Sequence, residues 1–160
     1  MRKVVVVLLI TSVFSLSAAA HQARSAAPPS ATSSPKACSL LSKDLALKVT
    51  GANKALFDTP PREMTIGNGS ECNWGDIQLR IDPFSWASLE GMGKNDKKWA
   101  EVSGVGDKAY FRENGRFAEL MSHVGGRTFT VQMSVPITST AEKFKPNVIA
   151  LANAIVPKLK

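Results

Sequence analysis

The chain predicts an α+β domain: a single antiparallel sheet of about five strands with amphipathic helices packed on one face. Three observations predict it. Asp76–Asp82 and Thr128–Val135 alternate apolar and polar residues with the period of two that buries one face of a strand. Asn114-Gly115, a pair favoured in tight hairpins, stands between two further strand-like runs. Three segments also carry apolar residues at helical spacing, one early, one in the middle and one at the C-terminal end.

The first residues read as an address. Met1-Arg2-Lys3 is positively charged, Val4–Ile10 is an unbroken apolar run, and Ala18-Ala19-Ala20 places small residues where signal peptidase cuts. Residues 1–20 are therefore expected to be a signal peptide cleaved near Ala20, and the mature protein to be periplasmic or secreted. Thr11, Ser12, Ser15 and Ser17 dilute the run below the ~20 strongly apolar residues that a stable span prefers, so a membrane-spanning mature form is not expected. No cysteine follows the signal, and a thioether-linked lipid has no sulfur to attach to. Residues 21–36, rich in Ala, Ser and Pro, cannot bury enough apolar surface to order themselves and read as a disordered linker. The domain is expected to fill 37–160.

The only cysteines are Cys38 and Cys72. In an exported chain two cysteines suggest one disulfide, closing a loop of about 35 residues. A metal site would need more ligands, and the domain holds one histidine, His123; a redox pair would favour Cys-x-x-Cys spacing. No metal or cofactor is expected.

Within the domain, Ser39–Thr50 reads as one helix with Leu41, Leu45 and Val49 on a common face and Gly51 at its C-terminal cap. Residues 58–62, with Pro60-Pro61, read as loop, and Cys72–Trp74 as the edge of a strand. Asp76–Asp82 follows as a strand, then a helix-like stretch over Ser85–Lys98. Residues 103–107 form a turn; Ala109–Glu113 and Arg116–Ser122 pair as a hairpin, and Thr128–Val135 is the next strand. Ser139 and Glu142 have capping-box spacing before a terminal helix, in which Pro146 predicts a kink or a late start.

Charge excludes little on its own. The net charge is +7, but from Ala37 onward 16 Lys and Arg face 13 Asp and Glu, leaving +3. The densest cationic cluster, Lys94, Lys97 and Lys98, is interrupted by Asp96 and reads as a solvated face, not a phosphate-binding patch; no nucleic-acid partner is expected. Catalysis finds few components. His123 reads as a surface turn residue, and Asp76 and Asp82 fall on the wet side of a strand, where a solvated face is the plainer reading. Gly104-x-Gly106 leads into a strand, not a helix, unlike a dinucleotide fingerprint. The aromatic residues Trp86, Trp99 and Tyr110 are the candidate ligand-binding residues, placed between the second helix and the sheet; Trp74 reads as packing on the disulfide.

The markers Cys38-x-Leu40-Leu41, Cys72-x-Trp74 and Gly104-Val105-Gly106-Asp107-x-Ala109-Tyr110-Phe111, followed by a terminal helix, resemble small bacterial envelope domains of unknown function found mostly as actinobacterial lipoproteins. They are distantly similar to the extracellular sensor domain of a mycobacterial serine/threonine kinase. The resemblance implies an antiparallel sheet backed by helices and a bond between the two cysteines. It implies no activity. The expected function is an exported non-catalytic binding or interaction module, with an unknown envelope protein or small ligand as partner. The alternatives are a small periplasmic enzyme using carboxylates or His123, and an electrostatic binder of anionic envelope polymers.

Overall fold

Ser42 and Gly51 delimit the first long helix by local chemistry. The Ser42 hydroxyl accepts the N–H of Leu45 at 3.2 Å, and Gly51 closes the helix with φ of 58°. In this computed structural model, which describes residues 34–51, 54–96 and 98–160, the expected single helix is two. A short α1, Ala37–Leu40, is followed by α2, Lys43–Thr50, because Leu41 is extended and Ser42 starts afresh. The expected signal peptide, its cleavage near Ala20 and nearly all of the linker lie outside the described residues. The described residues belong to one compact unit.

The sheet has seven strands, not about five. They are β1 (Arg62–Ile66), β2 (Gly69–Trp74), β3 (Ile77–Ile81), β4 (Ala100–Val102), β5 (Lys108–Asn114), β6 (Phe117–Val124) and β7 (Arg127–Ser134). Their order is β1-β2-β3-β7-β6-β5-β4, antiparallel throughout. The two strands beyond expectation, β1 and β4, are the edges. β1 lies mostly exposed and β4 has three residues, so neither carries a clean alternation of apolar and polar positions.

Two helices follow in the second half: α3, Trp86–Asn95, and α4, Ala141–Ile155. Pro146 lies inside α4, which starts at Thr140 without a side-chain cap; the expected capping box at Ser139 does not form. On one face of the sheet Leu79, Val131, Leu120 and Phe111 line up across β3, β7, β6 and β5. Against them pack α1, α2 and the Val148, Leu151 and Ile155 stripe of α4, which is wholly buried. The Cys38–Cys72 disulfide forms and ties α1 to β2.

Residues next in sequence point to the opposite face. There Tyr110 and Met121 join Leu89 of α3 in a second, smaller apolar cluster. The helices therefore cover both faces, which corrects the expectation of one helical layer. The polar alternation of β3 suggested a wet face, but Arg80 lines a cleft shared with α3. No helix among the described residues is long and apolar enough to cross a membrane. A disulfide of this kind fits an extracellular or periplasmic protein.

Candidate functional site

The passage from β3 into α3 is fixed by one carboxylate. Asp82 has φ of 49°, left-handed without being glycine. Its side chain accepts from Thr128 N at 2.9 Å, Arg127 Nη1 at 2.8 Å and Ser34 Oγ at 2.7 Å. Thr128 also donates its hydroxyl to the Phe84 carbonyl at 2.6 Å. With Ser85 capping its first turn, α3 is thereby held over the sheet. Its middle is tied down by Glu90, which accepts from Lys108 of β5. The Lys108 ammonium holds the Glu90 carboxyl below its ordinary value, with Lys94 adding to the effect, and Glu90 in turn holds the Lys108 ammonium above its own.

Under the first turn of α3, Trp86 stacks on Tyr110 with ring centroids 5.9 Å apart. It also lies 5.2 Å from the His123 ring. His123 is within β6 rather than in a turn, because the strand continues through Val124, and its Nδ1 is 3.8 Å from the Asp107 carboxylate. This group buttresses the helix.

Beyond it, α3 and the sheet diverge and leave a cleft of about 310 Å³. Phe84, Leu89, Met92 and Trp99 supply its apolar wall. Phe84 and Met92 are 54% and 49% exposed, so two large hydrophobic side chains stand at the rim. The floor is polar. Arg80 and Thr130 face each other across β3 and β7, and Glu119 and Arg112 across β6 and β5.

The carboxylates of the floor and of the neighbouring β2 are engaged. Glu71, 4% exposed, accepts from Arg80 Nε at 2.7 Å, Asn73 Nδ2 at 2.7 Å and Gln78 Nε2 at 3.0 Å. Glu119, 5% exposed, accepts from Arg112 Nε at 2.7 Å and Asn114 Nδ2 at 3.0 Å. Both guanidinium groups are held through Nε; the outer Nη edge of Arg80 is left as a donor, while Arg112 Nη1 also lies 3.8 Å from the Asp96 carboxylate. The Arg112 guanidinium also lies 4.2 Å over the Trp99 ring. Trp99 Nε1 is buried with no hydrogen-bond partner among the described residues. An unmet buried donor costs about 1–3 kcal/mol.

Of the three expected site residues, the fold joins Trp86 to Tyr110 and places Trp99 alone in the cleft lining. Sequence reading missed Arg80, Arg112, Phe84 and Met92. Arg80 was legible as part of the polar side of β3, but its place in a cleft depends on β2 and α3 arriving from elsewhere. A wider depression of about 400 Å³ bordered by Lys98, Glu113 and Gly115 is rimmed by exposed residues and contains none of the expected site residues. Among the described residues no group of three or more His, Cys, Asp or Glu could hold a metal ion.

No family model, curated protein or solved structure matches this chain.

Proposed function

We propose that the chain is an exported, non-catalytic binding module of the bacterial envelope, cleaved near Ala20, with its ligand site in the cleft between α3 and the sheet. The observation that carries this reading is the buried, unpartnered Nε1–H of Trp99 beside an apolar wall with exposed Phe84 and Met92. Folded proteins pair nearly all buried donors, so an exception beside a concave site calls for a partner from outside the chain, an ordered water or a ligand atom. The volume lies at the lower end of small-molecule sites. The disulfide supports the exported location, since such bonds persist outside the reducing cytosol.

Native mass spectrometry of the protein purified from its host's periplasm tests the reading. The expected species is residues 21–160 less two hydrogens for the disulfide, carrying a small added mass that Trp99→Phe diminishes. A bare protein under the gentlest conditions, or an added mass indifferent to that substitution, would overturn it.

A further inference from the structure

The chemical class of the ligand follows from which hydrogen-bonding groups in the cleft are already used; this inference rests on the cleft being the ligand site. The carboxylates at the cleft are engaged, and the buried acceptor without a partner among the described residues, Gln78 Oε1, lies outside the cleft lining. Glu71 receives three hydrogen bonds and Glu119 two, and each carboxylate has an arginine of its own. The donors are not exhausted. Trp99 Nε1–H is unmet, Arg80 lines the same cleft with its outer guanidinium edge, and Arg112, whose Nη1 also lies 3.8 Å from the Asp96 carboxylate, lines it beside Trp99. A molecule entering there meets more donors than acceptors at the floor and an aliphatic and aromatic wall above it.

We propose that the cleft takes a small amphiphile whose head is an anion, most simply a carboxylate, and whose body is a single alkyl chain or aryl ring. The head accepts from Trp99 Nε1 and the arginines. The body lies against Phe84, Leu89 and Met92. The arginines are suited to a planar anion because the guanidinium presents its donors in a fixed plane. At about 30 Å³ for each water-sized group, the cleft of about 310 Å³ accommodates roughly ten non-hydrogen atoms. That is enough for one short chain and its head, and too little for a two-chain lipid. A cationic amphiphile of the same length would find the carboxylates already paired and the arginines repelling it.

The test is calorimetric titration of the full oxidised domain with octanoate, octanol and octylammonium, below their aggregation limits, using wild type, Trp99→Phe and Phe84→Ser. Octanoate is expected to bind at least about tenfold tighter than octylammonium, the ratio that one extra charge-assisted hydrogen bond supplies. Trp99→Phe, which keeps an aromatic ring and removes the donor, is expected to weaken octanoate about three- to tenfold, with an unchanged urea midpoint confirming the fold. Phe84→Ser is expected to weaken octanoate and octanol alike. Octylammonium binding as tightly as octanoate, or octanoate indifferent to Trp99→Phe, overturns the assignment of an anionic head while leaving the cleft as a ligand site. Binding of none of the three probes overturns it as well, and the wider reading then stands or falls on the co-purified mass.

Discussion

Removing the disulfide offers the most quantitative test of how the fold is held. Cys38 and Cys72 are separated by 34 positions, and the loop they close contains α2 and the edge strand β1. Chain entropy assigns about 3.8 kcal/mol to closing a loop of that length in the unfolded state. The native geometry needs little help from the bond. The Glu63 carboxylate accepts from Ala37 N at 2.9 Å and Cys38 N at 2.7 Å, and Ser70 Oγ accepts from Ala37 N at 2.8 Å, so α1 stays seated on β1 and β2. Replacing both cysteines by alanine also removes a sulfur at position 72, which is fully buried, for about 1 kcal/mol more. The double variant Cys38→Ala/Cys72→Ala should therefore lose about 4–5 kcal/mol, and the reduced wild type about 1 kcal/mol less. With a urea dependence of about 2 kcal/mol/M, the unfolding midpoint falls by about 2 M. The dependence itself should steepen slightly, because the unfolded chain expands when its cross-link is lost. A midpoint drop below about 0.5 M, followed by tryptophan fluorescence, refutes an unfolded-state origin for this stabilisation.

Three further outcomes are expected. Gly106→Ala places a Cβ against the His123 carbonyl and the Ser122 hydroxyl at φ of 60°, and should lower the melting temperature by about 10 °C; Gly104→Ala, at φ of 79° with nothing within 4 Å of the added carbon, should cost far less. Equal losses in the two variants would refute the steric argument. Asp82→Ala removes the acceptor for Thr128, Arg127 and Ser34 from a left-handed residue and should cost about 2–4 kcal/mol by chemical denaturation, a loss under about 0.5 kcal/mol being contrary. The Glu90–Lys108 pair shapes the pH profile. The lowered Glu90 carboxyl adds stability that is present above its unfolded value, near pH 4.3, and lost as pH falls through the folded value. The raised Lys108 ammonium adds stability present below about pH 10.4 and lost as pH rises through its folded value. Lys108→Met should flatten both flanks, the acid flank only in part because Lys94 also pairs with Glu90. Flanks as steep as wild type in thermal scans across pH would contradict the pairing.

Legibility in the sequence tracked how local each signal was. β3 and β7 are central strands with one face in the main core, and their alternation Ile77, Leu79, Ile81 and Phe129, Val131, Met133 is unambiguous. The Gly51 cap and the disulfide were equally readable, the one from a backbone requirement and the other from counting. β1 escaped because Arg62 and Glu63 open it and its outer edge meets solvent, where burial imposes no pattern. The helical layer on the second face escaped for another reason. Arg80, Thr130 and Glu119 look like ordinary surface positions in one dimension; Thr130 and Glu119 become buried and Arg80 half-buried only when β2, β7 and α3 converge on them. Trp99 was visible as a candidate because it is aromatic beside charged residues, yet its unmet Nε1–H is a property of the assembled cleft. Trp86 and Tyr110 share its composition signal and serve instead as the stack that supports α3.

Whether the α3–sheet cleft receives an acceptor-bearing ligand is decided by the indole N–H resonances of the ¹⁵N-labelled oxidised domain. The Trp74 indole donates to the Thr59 carbonyl at 2.8 Å, whereas that of Trp99 has no acceptor among the described residues. Assigned through Trp99→Phe, the Trp99 signal should lie upfield of Trp74 in the free protein and move downfield on titration with octanoate, while Trp74 stays fixed. A Trp99 signal already at a hydrogen-bonded position, or one that octanoate leaves unmoved, would show that the indole N–H does not await a ligand acceptor.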